Sequence, residues 1–217
     1  MKQQNHSDST KERILNEAEI LFAEKGFDAV SVREITTAAE CNVAAMNYHF
    51  GHKQGLYLEV FRARWVPRAK RVQACFRASL PTEAPLSPTA VARSLAEAFL
   101  VGPLSDEERQ RHSQLMAREL AQPTEAFELL AEEVIQPFFK ELAEIFGTFM
   151  PKELAEERLM LNILSIFAMV LYFNFARVAV SRITGRRYDS TFKARLVEHI
   201  MDFSLKGLGL DEKGALR

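Results

Sequence analysis

Residues 31–53 read SVREITTAAECNVAAMNYHFGHK, and this stretch decides the predicted fold of the chain. It starts with Ser31 and has Glu34 three residues later, which is the sequence pattern of a capping box at a helix N-terminus. In a capping box the Ser hydroxyl accepts a hydrogen bond from the first helical turn, and the Glu carboxylate binds back to the Ser N–H. The pattern predicts a short helix over about residues 32–39.

A second short helix follows after a tight turn. Glu40 and Cys41 lie in the turn, and Asn42 is suited to cap a helix over about residues 43–49. Two helices joined by a three- or four-residue turn form the helix-turn-helix unit, whose second helix enters the major groove of DNA. We therefore interpret the stretch as a DNA-binding device.

The second helix carries no Asp, Glu, Lys or Arg and offers short side chains to a DNA groove. An Asn amide can pair with adenine through two hydrogen bonds, and Val or Ala can contact the methyl group of thymine. The predicted base-reading residues are Asn42, Val43, Ala44 and Asn47. For Asn47, an ordinary role on a helix surface is an equal alternative.

Residues on both sides of this helix are suited to hold DNA phosphates. Lys53 opens the next helix, so its ammonium group would act together with the free N–H groups of a helix N-terminus. Tyr48 can donate its hydroxyl to a phosphate, and Ser31 and Arg33 could reach another phosphate. These four residues are the predicted phosphate contacts.

Charge is distributed unevenly along the 217 residues. The net charge is −1, yet residues 42–77 contain seven Lys or Arg and a single acid, Glu59. A local basic segment favours phosphate contact at one surface over general polyanion binding. The two cysteines, Cys41 and Cys75, match no metal or redox spacing, which fits a reducing cytosol.

Almost every other segment repeats apolar residues with the 3.6-residue period of a helix, and none has convincing strand alternation. A first helix is predicted from the Ser9-x-x-Glu12 capping box to Gly26. Pro67 and Pro137 are expected to kink or divide the helices that contain them. The remaining predicted helices span about 53–79, 88–101, 105–121, 124–148, 152–183 and 189–206.

At residues 10–60 the chain resembles the N-terminal domain of the tetracycline-repressor (TetR) family. The resemblance rests on LFAEKGFDAVSVREIT and NVAAMNYHFGHKQGLY, in which apolar spacing, capping boxes, Tyr48-x-Phe50 and Lys53 occur in the family's order. The NVAAMNYHF helix looks most like that of CerR/YbiH-like members, and RELAQP at 118–123 is compatible with that branch. Two positions depart from the family pattern. Glu40 replaces the usual Gly of the turn, which predicts an altered turn, and His52 replaces the usual small N-cap residue, which predicts a weak cap.

The resemblance implies an all-helical homodimeric repressor of about nine helices. It implies a three-helix DNA-binding domain at residues 1–53 and a helical effector-binding and dimerisation domain at residues 54–217. The base-reading residues of the helix over residues 43–49 would contact a palindromic operator. A small-molecule effector would release the dimer from the DNA. We expect a cytoplasmic protein without a cofactor, since the sequence begins without an apolar signal core.

The last predicted helix has a heptad-like seam suited to dimerisation. Its members are Phe192, Leu196, His199 and Phe203. With the apolar stretch Leu159–Ala176 it could form a four-helix bundle across a two-fold axis. Burial within the monomer is the alternative. A membrane span is disfavoured because Asn162, Ser165 and Asn174 interrupt the stretch.

A largely apolar effector pocket is expected among the central helices. Its candidate residues are Met116, Arg118, Glu119, Phe127, Phe138, Asn162, Ser165, Met169 and Tyr172. For most of the apolar members, ordinary core packing is the alternative. Ser165 and Tyr172 could instead bond across the dimer.

Enzymatic sequence patterns are missing from the chain. It has no Gly-rich phosphate loop, no GxSxG or HExxH motif and no paired-carboxylate motif. The leading hypothesis is a ligand-responsive transcriptional repressor that binds double-stranded DNA. The alternative is a helical small-molecule binding or interaction protein whose N-terminal unit only packs.

Overall fold

The computed structural model describes residues 2–82, 86–149 and 156–207, with side chains from residue 9 onward. This part of the chain forms ten helices and no strand, which confirms the predicted all-α class. The helices are α1 Lys2–Lys25, α2 Val32–Ala38, α3 Val43–Phe50, α4 Lys53–Ser79, α5 Pro88–Leu100, α6 Asp106–Ala121, α7 Glu125–Gly147, α8 Glu156–Phe175, α9 Arg177–Thr184 and α10 Ser190–Gly207.

Two of these helices pass through a proline by means of a π-helical segment. In α4 the segment Phe61–Trp65 precedes Pro67, and in α7 the segment Ala131–Ile135 precedes Pro137. A proline lacks the N–H of a helical hydrogen bond and its ring collides with the carbonyl four residues earlier. The wider π turn displaces that carbonyl, so both helices continue and Pro67 does not divide α4.

Two predicted helix boundaries were wrong. Helix α1 begins at Lys2, so Ser9 lies inside the helix and does not cap it. The predicted helix over 152–183 is two helices, α8 and α9, which meet at Ala176. At this break Arg177 donates to the backbone oxygen and the side-chain oxygen of Asn174, both at 3.2 Å. The residues near Pro85 and Pro151 lie outside the described part of the chain.

The chain forms two compact units, each built from two stretches of sequence. The first consists of Met1–Ala69 and Ser105–Glu133, and the second of Lys70–Leu104 and Val134–Arg217. The first unit therefore contains α1–α3, the start of α4, α6 and the start of α7. As a unit of packing it is larger than the predicted DNA-binding domain. The functional boundary near residue 53 stays a prediction.

The core of the first unit joins α1, α4 and α6. Phe22 and Tyr57 meet edge to face with ring centroids 4.9 Å apart, and both are buried. Trp65 stacks on His112 at 4.2 Å and donates its indole N–H to the His112 backbone oxygen. Burial, followed by the Arg68 and Arg109 charges, lowers the pKa of His112 to about 3. His112 is therefore a neutral structural residue.

The second unit has two apolar clusters. One contains Phe76, Phe138, Leu142 and Phe146, and Phe76 meets Phe138 edge to face at 5.6 Å. The other joins α5, α8, α9 and α10 and includes Leu100, Val170, Val180, Phe192, Leu196 and Ile200. Each fully buried side chain of this size contributes roughly 1.5–3 kcal/mol, so these clusters define the fold of the unit.

Candidate nucleic-acid interface

Helix α2 is capped as the sequence predicts, but only one half of the capping box forms. The Ser31 hydroxyl accepts the Glu34 N–H at 3.1 Å, which fixes the start of the helix. The Glu34 carboxylate does not return to Ser31 and instead binds the Lys25 ammonium at 2.5 Å. That hydrogen bond lowers the pKa of Glu34. With its hydroxyl used in the cap, Ser31 faces solvent at the predicted phosphate surface beside Arg33.

The turn between α2 and α3 keeps the geometry that a glycine would normally provide. The Cys41 N–H donates to the Thr36 carbonyl at 2.9 Å and the Glu40 N–H to the Thr37 carbonyl at 3.2 Å. These two bonds form a Schellman motif, in which the residue at the position of Glu40 is left-handed. Glu40 has φ = 49°. The expectation of an altered turn was therefore wrong, because the glutamate adopts the left-handed conformation.

Helix α3 presents the predicted base-reading residues at the surface. Met46 is buried and anchors the helix, whereas Val43, Ala44 and Asn47 are exposed. Asn42 is part of this surface too, but its side-chain oxygen accepts the Ala45 N–H at 2.8 Å as the N-cap. The cap confirms one prediction about Asn42. The cap uses one lone pair of the Asn42 oxygen, so bidentate pairing with adenine would have to share that oxygen with the Ala45 N–H.

Of the predicted phosphate residues, Tyr48 lies in the last turn of α3 and Lys53 is the first residue of α4. Tyr48 is 82% exposed, the highest value among the large hydrophobic side chains that the structure describes as exposed. The Lys53 ammonium lies 4.3 Å from the centroid of the Phe27 ring. A cation–π contact of this kind restrains the ammonium at the start of α4. Sequence reasoning did not find the role of Phe27, which is close to Lys53 only in the folded chain.

The expectation of a weak cap at His52 was wrong. The His52 Nδ1 atom accepts the Gly55 N–H at 3.1 Å and so caps α4. This geometry assigns the ring hydrogen of the neutral imidazole to Nε2. A Cβ atom on Gly55 would lie 2.3 Å from the Phe50 carbonyl oxygen, a distance that real Cβ atoms do not show. The junction between α3 and α4 therefore depends on both residues.

Much of the basic segment of α4 is used inside the chain. Arg68 and Glu19 form an ion pair with side chains 9% and 1% exposed. Arg64 pairs with Glu12 at 2.5 Å, and both lie at the surface of the same unit. Arg68 is therefore not available for the phosphate contact that the basic segment suggests. No sequence signal identifies the pairing, because Arg68 and Glu19 are 49 positions apart.

Arg118 and Glu119, two predicted effector residues, already have partners within the first unit. Arg118 donates to the backbone carbonyls of Ala23 and Glu24 at the end of α1. Glu119 is buried and accepts the Tyr57 hydroxyl at 2.7 Å. Burial and this hydrogen bond raise the pKa of Tyr57. Both side chains therefore have structural roles in this conformation.

The other predicted pocket residues are distributed over the two units. In the first unit Met116 is buried and Phe127 is half-buried. In the second unit Phe138 belongs to the core. Asn162 and Met169 of α8 are both half-buried.

Ser165 and Tyr172 lie on α8 with open contact to solvent, which does not fit walls of an enclosed pocket. The Ser165 hydroxyl donates to the Leu161 carbonyl of the preceding turn. An effector pocket built from the predicted set stays a prediction.

A groove of about 500 Å³ lies in the second unit at residues that the sequence did not single out. Its floor is mainly apolar, and Arg93 at its rim binds Glu198 through two hydrogen bonds of 2.6 and 3.0 Å. Its lining consists of Cys75, Ser79, Arg93, Glu97, Ala98, Val101, Gly102, Pro103, Ala194, Val197 and Glu198.

The predicted dimer seam on α10 is divided by burial. Phe192 and Leu196 are 7% and 6% exposed and belong to the core of their own chain, so they are not available to a partner. His199 is exposed, and Phe203 is 59% exposed. The N-terminal half of the stripe is covered within the chain, and its C-terminal half is uncovered.

Helix α8 has an uncovered apolar face beside this half-stripe. Leu161 and Tyr172 are each 54% exposed, and Leu164 is 44% exposed. The His199 ring lies 6.1 Å from Phe173 of α8, so the exposed surfaces of α8 and α10 are neighbours. Within the described residues, α8 is the one helix that is long and apolar enough to cross a membrane, by length and composition alone. Of its apolar stretch, 22% is buried.

The fold and the exposed reading surface define the chain as a helix-turn-helix transcriptional regulator. Residues 14–60 match the family model of the bacterial regulatory proteins of the tetR family, and residues 88–208 match the C-terminal domain of the HTH-type transcriptional dual regulator CecR. The chain belongs to the TetR family and carries a CecR-type C-terminal domain. The resemblance seen in the sequence is thereby confirmed.

Individual relatives agree with this assignment. The dual regulator CecR of Shigella flexneri is 25% identical over 214 residues, 93% of each chain. The probable regulator YttP of Bacillus subtilis is 50% identical over 48 residues, 22% of this chain and 23% of its own. A putative tetR family regulator from Shewanella shares the fold with a TM-score of 0.65 at 18% identity, and the match covers 92% of this chain and 97% of that one.

Proposed function

We propose that the protein is a cytoplasmic homodimeric regulator that binds a palindromic DNA operator and is released from it by a small, largely apolar effector. The observation that carries DNA binding is the surface of α3, where short uncharged side chains are exposed. Tyr48 and Lys53 border this surface. Val43, Ala44 and Asn47 would contact base edges, and the bordering groups would hold phosphates.

Dimerisation would use the exposed apolar surface of α8 and α10. An apolar face that includes Leu161, Leu164, Tyr172 and Phe203 is unfavourable in water unless a partner covers it. A second copy related by a two-fold axis would bury this surface and its equivalent at once. The same axis would set two copies of α3 at the spacing of two half-sites, which is why we propose a palindromic operator.

Effector response would work as a population shift. A ligand that favours the non-binding arrangement of the dimer lowers DNA affinity by its differential affinity for the two arrangements. The ligand would be mainly apolar, since the candidate residues Met116 and Phe127 of the first unit are apolar. The groove of the second unit is the other place to look for the ligand.

The direction of regulation follows from where the operator lies relative to a promoter. We propose repression as the main effect, because a dimer that covers a promoter blocks transcription without a further partner. The Shigella flexneri relative is named a dual regulator, so activation from other sites is part of the proposal.

Replacement of Lys53 tests the proposal most directly. Bound sequences are first selected from random DNA, and the affinity for a selected site is then measured at several salt concentrations. In Lys53→Ala we expect weaker binding to all DNA sequences and a decrease of about one in the slope of log affinity against log salt. Lys140→Ala, a change of an exposed lysine in α7, should leave both quantities unchanged. If the wild-type protein selects no sequence, the chain is instead an interaction protein whose N-terminal unit only packs.

A further inference from the structure

The turn of the helix-turn-helix unit contains a residue in an unfavourable backbone conformation. An arginine from outside the unit binds the turn. Glu40 is the one described non-glycine residue with positive φ. In the left-handed region the Cβ atom of an L-residue approaches its own backbone, so glycine is normally found there. Any sequence that keeps Glu40 in this conformation needs a compensating interaction.

Arg13 of α1 supplies such an interaction. Its Nε–H donates to the Ala39 carbonyl oxygen at 3.2 Å, and an Nη2 hydrogen is directed at the Glu40 carbonyl oxygen at 3.5 Å. The Schellman motif satisfies the carbonyls of Thr36 and Thr37 and leaves these two later carbonyls without a backbone partner in the turn. The planar guanidinium group can bind two adjacent acceptors at once.

The charge of Arg13 also suits its position. The C-terminus of a helix carries a partial negative charge, so a cation beside the end of α2 is favourable. Because the side chain comes from α1, the contact fixes the turn relative to a different helix, 26 residues away in sequence. Local sequence alone does not fix the direction in which α3 leaves the turn.

We propose that Arg13 is a positioning residue for DNA reading, which holds the left-handed turn at Glu40 and thereby orients α3 toward the major groove. The proposal rests on the proposed DNA-binding function. It assigns Arg13 no contact with DNA. Short readers such as Val43 and Ala44 reach base edges only when the α3 backbone comes close to the DNA, so a small rotation of α3 removes their contacts.

Arg64 offers a matched control. It lines the same shallow surface groove as Arg13 and Glu40, but it binds the Glu12 carboxylate and no backbone carbonyl of the turn. Loss of Arg64 removes one positive charge from this groove and leaves the turn intact. The comparison therefore separates the loss of the turn contact from a general loss of charge.

The test measures affinity for a selected DNA site as a function of salt in Arg13→Met, Arg64→Met, Glu40→Gly and the Arg13→Met/Glu40→Gly double variant. In Arg13→Met we expect a loss of about 5- to 30-fold, with an unchanged salt slope because no phosphate contact is removed. Glu40→Gly should restore most of the loss, since glycine adopts the left-handed conformation without support. Arg64→Met should stay within about twofold of the wild type.

Four results would overturn the proposal. They are unchanged affinity in Arg13→Met, a salt slope lowered by about one, an equal loss in Arg64→Met, or no rescue by Glu40→Gly. If Arg13→Met fails to fold, Arg13→Lys replaces it. Lysine keeps the charge and lacks the planar fork, so the same loss and the same rescue are expected. Failure of the wild-type protein to bind DNA would reject the proposed function itself, and the wild-type titration shows that result separately.

Discussion

Glu19 is a carboxylate in the interior of the first unit, and it is compensated by arginines of two other helices. Its side chain is 1% exposed and pairs with Arg68 of α4, while Arg111 of α6 lies 3.8 Å away. Charges buried at this depth are unfavourable unless they are paired and hydrogen-bonded. The network therefore matters most for what happens when one member is removed.

Glu19→Gln should strongly destabilise the protein. The neutral amide would remove the buried counter-charge of Arg68 and leave only the Glu108 carboxylate, 3.5 Å from the Arg68 Nε atom. Breaking a buried pair in this way typically costs about 3–5 kcal/mol. Urea unfolding monitored by circular dichroism measures the effect. The matched change Glu12→Gln removes a partner of Arg64 that is 63% exposed, so its effect should stay below about 1 kcal/mol. Equal losses in the two variants would contradict the structural role of the buried pair.

At the residue scale, the sequence predicted three helix ends correctly, although Ser9 does not cap α1 and a weak cap was wrongly expected at His52. Ser31 and Asn42 are helix N-caps, and Gly26 ends α1 with φ = 86°. Each of these interactions joins residues at most four positions apart, so sequence spacing specifies them. The partners of Glu19 and Arg13 lie 26 or more positions away and depend on how the helices pack.

The α3–α4 junction shows how two short helices are held at a fixed angle. Gly51 adopts φ = 74°, and α4 starts two residues later with the His52 cap. Gly55 lies in the first turn of α4, against the Phe50 carbonyl. Helix α3 and Lys53, the proposed phosphate contact, are therefore connected by a junction with little space for change.

Gly55→Ala should disturb this junction. The new Cβ atom would lie 2.3 Å from a backbone oxygen, which cannot move as a flexible side chain could. We expect at least a roughly tenfold loss of operator affinity, because α3 and Lys53 would shift relative to each other, and a lower midpoint of thermal unfolding. Gly147→Ala is the control. Its Cβ atom would make an ordinary contact of 3.8 Å with Leu159, so affinity and stability should be nearly unchanged. Wild-type affinity in Gly55→Ala would show that the junction yields.

The sequence located α4 and α7 as helices, but it did not reveal the break between α8 and α9. The apolar periodicity continues through the π-helical segments before Pro67 and Pro137. The periodicity therefore predicts a continuous helix, whereas the proline predicts a break. In both helices the helical pattern prevails, and Trp65 and Val134 of the two π-helical segments are buried. The break at Ala176, by contrast, has no Pro or Gly to announce it.

At the scale of the whole molecule, the exposed surface of α8 and α10 is the feature that calls for a partner. Several large apolar side chains are exposed on these two neighbouring helices. Val101, Leu120 and other exposed apolar residues lie on other parts of the chain. We propose a second copy of the chain as the partner, because it would place two α3 helices on one duplex.

Phe203→Glu should prevent this association. Phe203 is 59% exposed in the single chain, so the substitution should leave folding intact while it places a charge in the apolar contact. We expect a monomer at micromolar concentration in analytical ultracentrifugation and at least a roughly tenfold loss of affinity for a palindromic site. Leu120→Glu, at an apolar residue of α6 that is 51% exposed, should remain dimeric. A dimer in Phe203→Glu would place the interface elsewhere.

The sequence by itself determined the helical class, the caps of α2 and α3, and the family. These properties depend on local sequence spacing, because a capping hydrogen bond or an apolar stripe on one helix joins residues a few positions apart. Only the tertiary structure decided that Glu40 keeps a glycine-type turn with Arg13 beside it, and that Arg118 and Glu119 have partners within the chain. It also showed that half of the α10 seam is internal. The physical reason is that residues such as Glu40, Arg118 and Glu119 contact partners far away in sequence. The positions of those partners depend on how the helices pack.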